Sequence, residues 1–519
     1  MKKIVLLPLD ERPCTYDYPA MLASMANNIN FVEVSRSLMG NMKQKGNIEG
    51  IAKYLEDNLK DADYAILAID SLLYGGIVPS RLHYDDVETI TKRLEILKKI
   101  KKANPAIKLY CYHLIMRCPD GNGCDEEPDY YALCGKAIHM IGRYSHMEQV
   151  KKLTDEEQKD YDSYKKFIAD NGYQKYVDDY TFRRNINTTM NIKVLDYVKD
   201  GTIDFLIIPQ DDSSPYGFTA LDQIKVRNVI DKNRLGLSTI MYPDADAVSN
   251  ALLARCINEI NGRRPKVFVR YNTCNDGNII PDYEDRPVSE SIKYQILAAG
   301  GMQTYDYKES DIVLMVNCPQ YDMIGIRHLY DAIKFGSGED LLQYTVGRNL
   351  VEYIEYIKYL VSIKKPVCVA DIAYSNGGDT VLFNMMRNEK LLYAVDAYAG
   401  WNTSANTLGT CIPLAMIKTI YGSSQQFLDF MGLRYLEDVG YMSNVRFDAF
   451  DKFRNEYRWG EIDGKKDGKV ATFIREGLLK FASQYLNDEY KVTIVRHEQP
   501  WNRFFETGLK VRVDKVKWL

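Results

Sequence analysis

Short apolar segments alternate with longer amphipathic segments along most of this chain. The longer segments carry apolar residues three and four positions apart, as in 90–100 and 350–363. This alternation is typical of strands that are each followed by a helix, and it predicts a parallel α/β architecture. The predicted strands are 4–9, 31–34, 64–69, 108–114, 205–209, 239–242, 267–271, 312–316, 367–372 and 393–397.

The length of 519 residues predicts more than one domain, because single cores stop growing near roughly 250–300 residues. A polar Gly/Arg/Pro cluster at 261–265 marks a boundary. We predict an α/β catalytic domain over 1–262, with a barrel-like or open parallel sheet and a charged, Tyr-rich helical insertion near 119–200. A Rossmann-like α/β domain over 263–425 and a small α+β appendage over 426–519 complete the prediction.

Composition and charge exclude several classes of protein. A net charge of −4 without a basic stripe disfavours nucleic-acid binding. The apolar run 4–7 is cut short by Pro8, which predicts neither a signal peptide nor a membrane span. Ten scattered cysteines indicate reduced thiols and a cytoplasmic location. The expected partner is therefore a small molecule or an oligosaccharide, and homo-oligomerisation is left open.

Charged side chains follow five of the predicted strands. In a parallel sheet the loops after the strands meet at one edge, where ligands bind. We therefore expect these residues to line one crevice, although any single aspartate has the alternative of capping the next helix. The residues concerned are Asp10 and Arg12, Asp70, Arg117, Asp211 and Asp212, and Asp244 and Asp246.

Asp211 and Asp212 are the strongest candidates for catalysis. Adjacent carboxylates after a buried strand raise each other's pKa, so that one of them can stay protonated and act as a general acid. The alternative is a cluster of hydrogen-bonded caps without catalytic function.

Loops rich in glycine, amides and hydroxyls are the candidates for substrate binding. The segment 70–81 contains the pair Gly75-Gly76, and 371–380 and 398–410 combine Asn, Thr and Trp. Amides can bind a polyhydroxylated or acetamido ligand while an indole stacks on a sugar face, but a glycine-rich turn with a cap explains each loop equally well. The expected substrate-binding residues are Asp10, Arg12, Asp70, Tyr74, Arg81, Arg117, Gln210, Tyr216, Asp244, Asn376, Asp379, Trp401, Asn402 and Asn406.

Motifs for other chemistries are missing from the sequence. It contains no dinucleotide fingerprint, phosphate-binding loop, HExxH motif or GxSxG elbow. Cys118, Cys124 and Cys134 do not have zinc-site spacing. We therefore predict no cofactor and no bound metal, and chemistry that depends on carboxylates.

Four segments resemble one largely bacterial family, the domain-of-unknown-function family numbered 4127. They are LLPLDERP at 6–13, IDSLLYGGIVPSR at 69–81, QDD at 210–212 and GWNTSANTLG at 400–409. The resemblance spans nearly the whole chain. The family's name records no function, so the resemblance implies no reaction.

The acidic pair is also similar to that of retaining hexosaminidases that use the substrate's 2-acetamido group as nucleophile. That similarity implies that Asp211 orients the acetamide and Asp212 acts as acid and then base. The leading hypothesis is a glycoside hydrolase, in particular an exo-acting β-N-acetylhexosaminidase. One alternative is a Mg²⁺- or Mn²⁺-dependent hydrolase or lyase that uses Asp10, Asp70, Asp211, Asp244 and Asp246. The other is a non-catalytic protein that binds a sugar or another polar metabolite.

Overall fold

The structure is a computed structural model that describes residues 1–336, 344, 346–463, 468–487 and 490–516. It is a mixed α/β protein whose larger sheets are parallel, which confirms that part of the prediction. The strands are β1 (Lys2–Leu7), β2 (Ile29–Glu33), β3 (Tyr64–Ala68), β4 (Lys108–Tyr112), β5 (Phe205–Gln210), β6 (Thr239–Pro243), β7 (Lys266–Tyr271), β8 (Met302–Thr304), β9 (Ile312–Asn317), β10 (Ile324–Gly325), β11 (Val367–Asp371), β12 (Tyr374–Ser375), β13 (Ala397–Ala399), β14 (Tyr490–Glu498) and β15 (Gly508–Lys515).

Helices occupy most of the segments between these strands. They are α1 (Pro13–Ala23), α2 (Ile48–Asn58), α3 (Ile69–Tyr74), α4 (Val87–Leu94), α5 (Ile96–Ala103), α6 (Tyr131–Val150), α7 (Asp155–Asp170), α8 (Gln174–Lys199), α9 (Phe218–Lys232), α10 (Val248–Ile260), α11 (Val288–Ala298), α12 (Ile326–Phe335), α13 (Leu350–Ser362), α14 (Thr380–Asn388), α15 (Ser404–Tyr421), α16 (Gln425–Arg434), α17 (Arg446–Phe453) and α18 (Lys469–Tyr485). A π-helix, Tyr435–Val445, joins α16 to α17. Among the residues that the structure describes, none of these helices has both the length and the apolarity that crossing a bilayer requires.

Two predicted elements differ from those observed. The helix expected over 90–100 is divided at Glu95 between α4 and α5. The strand expected over 393–397 begins only at Ala397, because the residues before it form a turn in which the N–H groups of Ala394 and Val395 bond to the carbonyl of Leu391. The apolar pattern is the same for a buried turn and a short strand, so it does not separate the two.

The chain folds into two compact units. Unit 1 comprises Met1–Glu11, Asn28–Ser249 and Tyr283–Arg286. Unit 2 comprises Arg12–Asn27, Asn250–Asp282 and Pro287–Leu519. Both units are therefore assembled from segments that are distant in sequence.

Unit 1 contains an open sheet of six parallel strands in the order β2-β1-β3-β4-β5-β6. All five residues of β3 are buried, as expected of a central parallel strand that is covered on both faces. The predicted insertion is mainly the helices α6, α7 and α8, and a capping box at Thr154 begins α7. The carboxyl ends of β1, β3, β4, β5 and β6 consequently share one edge of the sheet.

Unit 2 contains a five-stranded parallel sheet in the order β13-β11-β9-β7-β8. Strands β14 and β15 form a separate antiparallel pair with a bulge between Ile494 and Arg496. The π-helix packs near this sheet, because the Asp438 carboxylate accepts the N–H of Gly400 and the Asp438 carbonyl accepts that of Gly378. The segments after β11 and β13 are thereby tied to one element.

Candidate functional site

Two arginines and four carboxyl groups meet at the carboxyl edge of the unit 1 sheet. Arg81 follows α3, Arg117 follows β4, and the acidic pair Asp211-Asp212 follows β5. We call these residues, together with Glu126 and Glu127, the arginine–acid cluster. Of the residues expected to line one crevice, Arg117, Asp211 and Asp212 lie together here, and Arg81, an expected substrate-binding residue, joins them.

Arg81 and Arg117 share their carboxylate partners. Arg81 donates to Asp211 Oδ2 at 2.5 Å and to Glu127 Oε1 at 3.2 Å. Arg117 donates to Glu127 Oε1 at 2.8 Å and to Asp212 Oδ2 at 3.0 Å, and its Nη2 lies 3.2 Å from Glu126 Oε2. Because each guanidinium bonds to a different member of the acidic pair, the two aspartates have different electrostatic surroundings.

Glu126 and Glu127 were not among the residues singled out from the sequence. Glu127 is buried, and its Oε1 accepts hydrogen bonds from both arginines. In the sequence they are part of an acidic run, 125–127, in a segment without helical or strand periodicity. The position of this run in the sequence does not indicate which strands it would contact in the folded protein.

Helix α8 fixes the backbone at both arginines. The guanidinium of Arg183 donates to the carbonyl of Arg81 at 3.1 Å, and that of Arg184 donates to the carbonyl of Arg117 at 2.7 Å. Arg184 is itself held by the buried carboxylate of Asp222. The helical insertion therefore positions both cationic residues of the cluster.

Asp212 has an unusual backbone conformation and a raised pKa. Asp212 has a φ of 40°, a left-handed conformation that is uncommon for residues other than glycine and that recurs at functional sites. The pKa of Asp212 is raised to about 7, mainly by loss of hydration. The charge of Arg117 opposes this rise, and the charge of Asp211 adds to it. Burial lowers the pKa of Arg117, but the charges of Glu126, Glu127 and Asp212 outweigh that effect and hold it above its ordinary value.

A small cavity adjoins the cluster inside unit 1. Its volume is about 10 Å³, which is the space of a single water molecule. It is too small for a sugar ring. The polar residues that line it are Asp70, Ser80, Arg81, Arg117, Asn187 and Asp211.

Asp70 is buried, with 3% of its surface exposed. Its Oδ2 accepts the N–H of Leu114 at 3.0 Å, and its Oδ1 lies 4.0 Å from His113 Nε2. Burial raises the pKa of Asp70 to about 7 and lowers the pKa of His113 to about 3. Tyr74, another predicted binding residue, is buried and stacks on His83 with a centroid distance of 4.6 Å.

The remaining predicted residues of unit 1 are Asp10, Gln210, Tyr216 and Asp244. Asp244 Oδ1 accepts the N–H groups of Ala245 and Ala247, which lie in the turn before α10. Gln210 is buried and accepts a hydrogen bond from Arg286. Tyr216 packs edge-on against His146, and Asp10 is buried.

The other predicted binding residues belong to unit 2. Trp401 is 2% exposed, its indole N–H donates to Thr410 Oγ1 at 3.1 Å, and Tyr18 packs edge-on against its ring. The structure therefore gives this indole a packing role and leaves little ring surface open for the predicted stacking on a sugar. Asn402 donates to Asn406 Oδ1, and the carbonyl of Asn402 accepts the N–H of Asn376.

Arg12 and Asp379 are also satisfied inside unit 2. The Arg12 guanidinium lies 4.4 Å from the ring centre of Trp501 and 4.0 Å from the Glu506 carboxylate. Asp379 caps α14 through the N–H of Val381 and forms a 2.7 Å ion pair with Arg348.

A buried polar network that the sequence did not suggest lies at the carboxyl edge of the unit 2 sheet. Asn272, Asn317 and Asp371 follow or end adjacent strands and are linked in that order by hydrogen bonds of 2.5 and 2.8 Å. Burial and the charge of Asp379 raise the pKa of Asp371 to about 7, and burial raises that of Asp438 to about 8. Because its members bond to each other, this network resembles a structural core more than an open binding site.

Within the part of the chain that the structure describes, no group of three or more His, Cys, Asp or Glu side chains is arranged to hold a metal ion. The carboxylates of the arginine–acid cluster are instead paired with guanidinium groups. The ten cysteines are free thiols.

Comparison with known proteins gives little functional information. No curated protein matches the chain. Among solved structures, one similarity is to the carboxyl transferase domain from Rhizobium etli pyruvate carboxylase with 3-bromopyruvate, at 11% identity and a TM-score of 0.18. That match covers 93% of this chain and 60% of the other, and a score this low does not establish a common fold.

A family model gives a clear result. Its description is "protein of unknown function (DUF4127)", and it matches residues 4–510. The match includes the four segments on which the resemblance was based, and it spans both compact units. The chain therefore belongs to the DUF4127 family.

Proposed function

We propose that this protein is a glycoside hydrolase in which Asp211 and Asp212 carry the reaction. The observation that carries the proposal is the difference between the two adjacent carboxyl groups. Arg81 donates to Asp211 at 2.5 Å, whereas Asp212 has a pKa of about 7 and is largely protonated below neutral pH. A glycosidase needs such a pair, one carboxylate and one carboxylic acid.

The specific reaction that we propose is retaining hydrolysis of a β-N-acetylhexosaminide. Asp212 gives its proton to the glycosidic oxygen while the acetamido oxygen of the substrate attacks C1, so that the C1–O bond breaks and an oxazolinium ring forms. Asp211 accepts a hydrogen bond from the acetamido N–H and stabilises the positive charge. Asp212, now a carboxylate, takes a proton from water as the water oxygen attacks C1, which reopens the ring and restores the acid.

Access to the pair supports this assignment of roles. The side chains of Asp211 and Asp212 are 15% and 26% exposed, so both carboxyl groups keep a solvent-facing side within unit 1. The cavity that Asp211 lines has room for one water but not for a sugar. The substrate would therefore approach from the solvent-facing side.

A panel of nitrophenyl glycosides tests the proposal. We expect turnover of the β-N-acetylglucosaminide or β-N-acetylgalactosaminide above that of the β-glucoside and β-galactoside, because the latter two lack the acetamido nucleophile. Asp212→Asn should reduce that turnover by a factor of about 10² or more, the contribution typical of general acid–base catalysis.

Asp204→Asn is the matched control, because Asp204 is an aspartate of unit 1 that pairs with Lys101 and accepts the N–H of Leu109, yet it precedes β5 whereas the acidic pair follows that strand. Turnover of the acetamido substrates that survives unchanged in Asp212→Asn, or no turnover of any glycoside by well-folded protein, would overturn the proposal.

A further inference from the structure

We infer that Tyr283 is a substrate-binding residue, whose phenol ring stacks on a sugar ring held beside the acidic pair. The inference rests on the proposed function and adds to it a surface on which the substrate lies. Tyr283 was not among the residues singled out from the sequence, because it does not directly follow a predicted strand.

The chain returns to unit 1 at Tyr283–Arg286. This short segment belongs to unit 1, although the residues before and after it in sequence belong to unit 2. The N–H of Ser213, the residue after Asp212, donates to the carbonyl of Tyr283 at 2.9 Å. The segment is therefore bonded directly to the loop that carries the acidic pair.

Arg286 fixes the other end of this segment. Its guanidinium donates to the side-chain oxygen of Gln210 at 3.0 Å and to the carbonyl of Met241 at 2.9 Å. Gln210 ends β5 directly before the acidic pair, and Met241 lies in β6. Asp285 accepts hydrogen bonds from Arg286 Nε at 2.6 Å and from Gln223 of α9 at 2.8 Å. Both ends of the segment are therefore held at the carboxyl edge of the unit 1 sheet.

Tyr283 presents an aromatic ring to solvent from this anchored segment. It is 45% exposed, whereas Tyr216, in the loop after β5, packs edge-on against His146. The backbone of Tyr283 has a φ of 67°, a left-handed conformation that is an outlier for a bulky residue and that recurs at ligand-binding sites. Burial of the ring repays this strain only in part, which indicates a role for the ring at the surface.

A sugar ring is the ligand that matches this surface. The C–H groups on one face of a pyranose pack on an aromatic ring, while its hydroxyl and acetamido groups stay available for hydrogen bonds. The solvent-facing sides of Asp211 and Asp212 provide hydrogen-bonding groups on the loop to which Tyr283 is bonded. An apolar platform next to polar groups suits a sugar better than a small inorganic ion.

The split between KM and kcat tests the role. Tyr283→Asn removes the ring, and asparagine tolerates the left-handed backbone. We expect the KM for nitrophenyl β-N-acetylglucosaminide to rise about three- to tenfold, the effect of one aromatic contact, with little change in kcat. Tyr283→Phe keeps the ring and should restore the wild-type KM. A fall in kcat at unchanged KM would mean that Tyr283 only holds the loop in place, and would overturn the inference.

Tyr305→Asn is the matched control. Tyr305 is 80% exposed and belongs to unit 2, so its loss should change neither KM nor kcat. An equal rise of KM in Tyr305→Asn and Tyr283→Asn would show a general effect of removing surface tyrosines and would overturn the inference.

Binding of free N-acetylglucosamine provides a test that needs no turnover and no nitrophenyl ring. Its Kd, measured by ligand-observed NMR, should rise about three- to tenfold in Tyr283→Asn and return to the wild-type value in Tyr283→Phe. If this pattern is found and no glycoside is hydrolysed, the proposed function fails and the inference stands. If glycosides are hydrolysed and Tyr283→Asn changes neither KM nor Kd, the inference is wrong and the proposed function stands. If folded wild-type protein neither binds the sugar nor hydrolyses a glycoside, both are wrong.

Discussion

Arg117 donates a 3.0 Å hydrogen bond to Asp212, the residue proposed as the general acid. An adjacent positive charge lowers the pKa of a carboxyl group, and here it limits the rise that loss of hydration causes. Arg117 therefore sets how far above its ordinary value the pKa of Asp212 lies.

Arg117→Met should move the alkaline limb of kcat to higher pH by about one to three units, because Asp212 keeps its proton longer without the neighbouring charge. Arg117→Lys keeps the charge and should shift the limb less. The pH profiles of both variants on an activated aryl glycoside provide the measurement. A shift to lower pH in Arg117→Met would contradict the assignment of Asp212 as the acid.

The two aspartates should respond differently to the leaving group. Asp212→Asn should abolish turnover of substrates with poor leaving groups, whereas nitrophenyl glycosides, which need little help from an acid, should keep the part of their turnover that remains after the loss of about 10²-fold expected above. Asp211→Asn should reduce turnover of both kinds, because the acetamide must be oriented in either case. Both variants are measured on a nitrophenyl and an alkyl glycoside. Losses in Asp212→Asn that do not depend on the leaving group would refute the acid role.

Removal of divalent metal should leave turnover unchanged within about twofold. In the arginine–acid cluster, Arg81 and Arg117 supply the positive charge next to Asp211 and Asp212. Activity is compared before and after dialysis against EDTA, and Mg²⁺ or Mn²⁺ is then added back. A loss that either ion restores would favour the metal-dependent hydrolase or lyase over the glycosidase.

Trp401→Ala should act on stability. The buried indole bonds to Thr410 and packs on Tyr18, and loss of a buried tryptophan costs about 3–5 kcal/mol of unfolding free energy. Trp401→Phe should cost less, because most of the ring remains. Urea unfolding measures both variants. A raised KM with unchanged unfolding would instead support the contact with a sugar that the sequence suggested.

Unit 2 should lose stability as the pH rises from 6.5 to 8. Asp371 and Asp438 have folded pKa values of about 7 and about 8, above the ordinary value of 3.8, so the folded state binds more protons than the unfolded state across this range. The unfolding free energy then falls with pH, by about 1 kcal/mol per pH unit for each group until its folded pKa is passed. Histidines with lowered pKa values affect stability mainly below pH 6.5. Urea unfolding at pH 6.5 and 8 checks the slope, which Asp438→Asn should reduce; a rise in stability would contradict the prediction.

The sequence predicted most strands because buried parallel strands are continuous apolar runs, and it found the acidic pair because both residues directly follow such a run. Glu127 and Asn187 were not predicted to be site residues, because they belong to the helical insertion. Hydrophobic periodicity predicts helices in that segment but not where those helices pack. Asp244 was predicted to bind substrate because it follows a strand, but its Oδ1 accepts N–H groups of the turn before α10, a contact that its place in the sequence does not distinguish from a ligand contact. Trp401 was predicted to contact a ligand because tryptophan stacks on sugars. Its burial depends on partners such as Tyr18 that are far away in sequence.

The π-helix at Tyr435–Val445 makes this part of the chain sensitive to a change in length. Its i→i+5 hydrogen bonds accommodate more residues than an α-helix of the same span. Deleting one residue between Asp438 and Arg446 would let the backbone return to α-helical spacing and rotate everything after the deletion by about 100°. Glu437 would keep its bond to Tyr18, but Arg446 would turn away from the carbonyl of Asn376. An insertion or deletion in the π-helix would therefore change the contacts of the residues that follow it, whereas a substitution leaves the helical register unchanged.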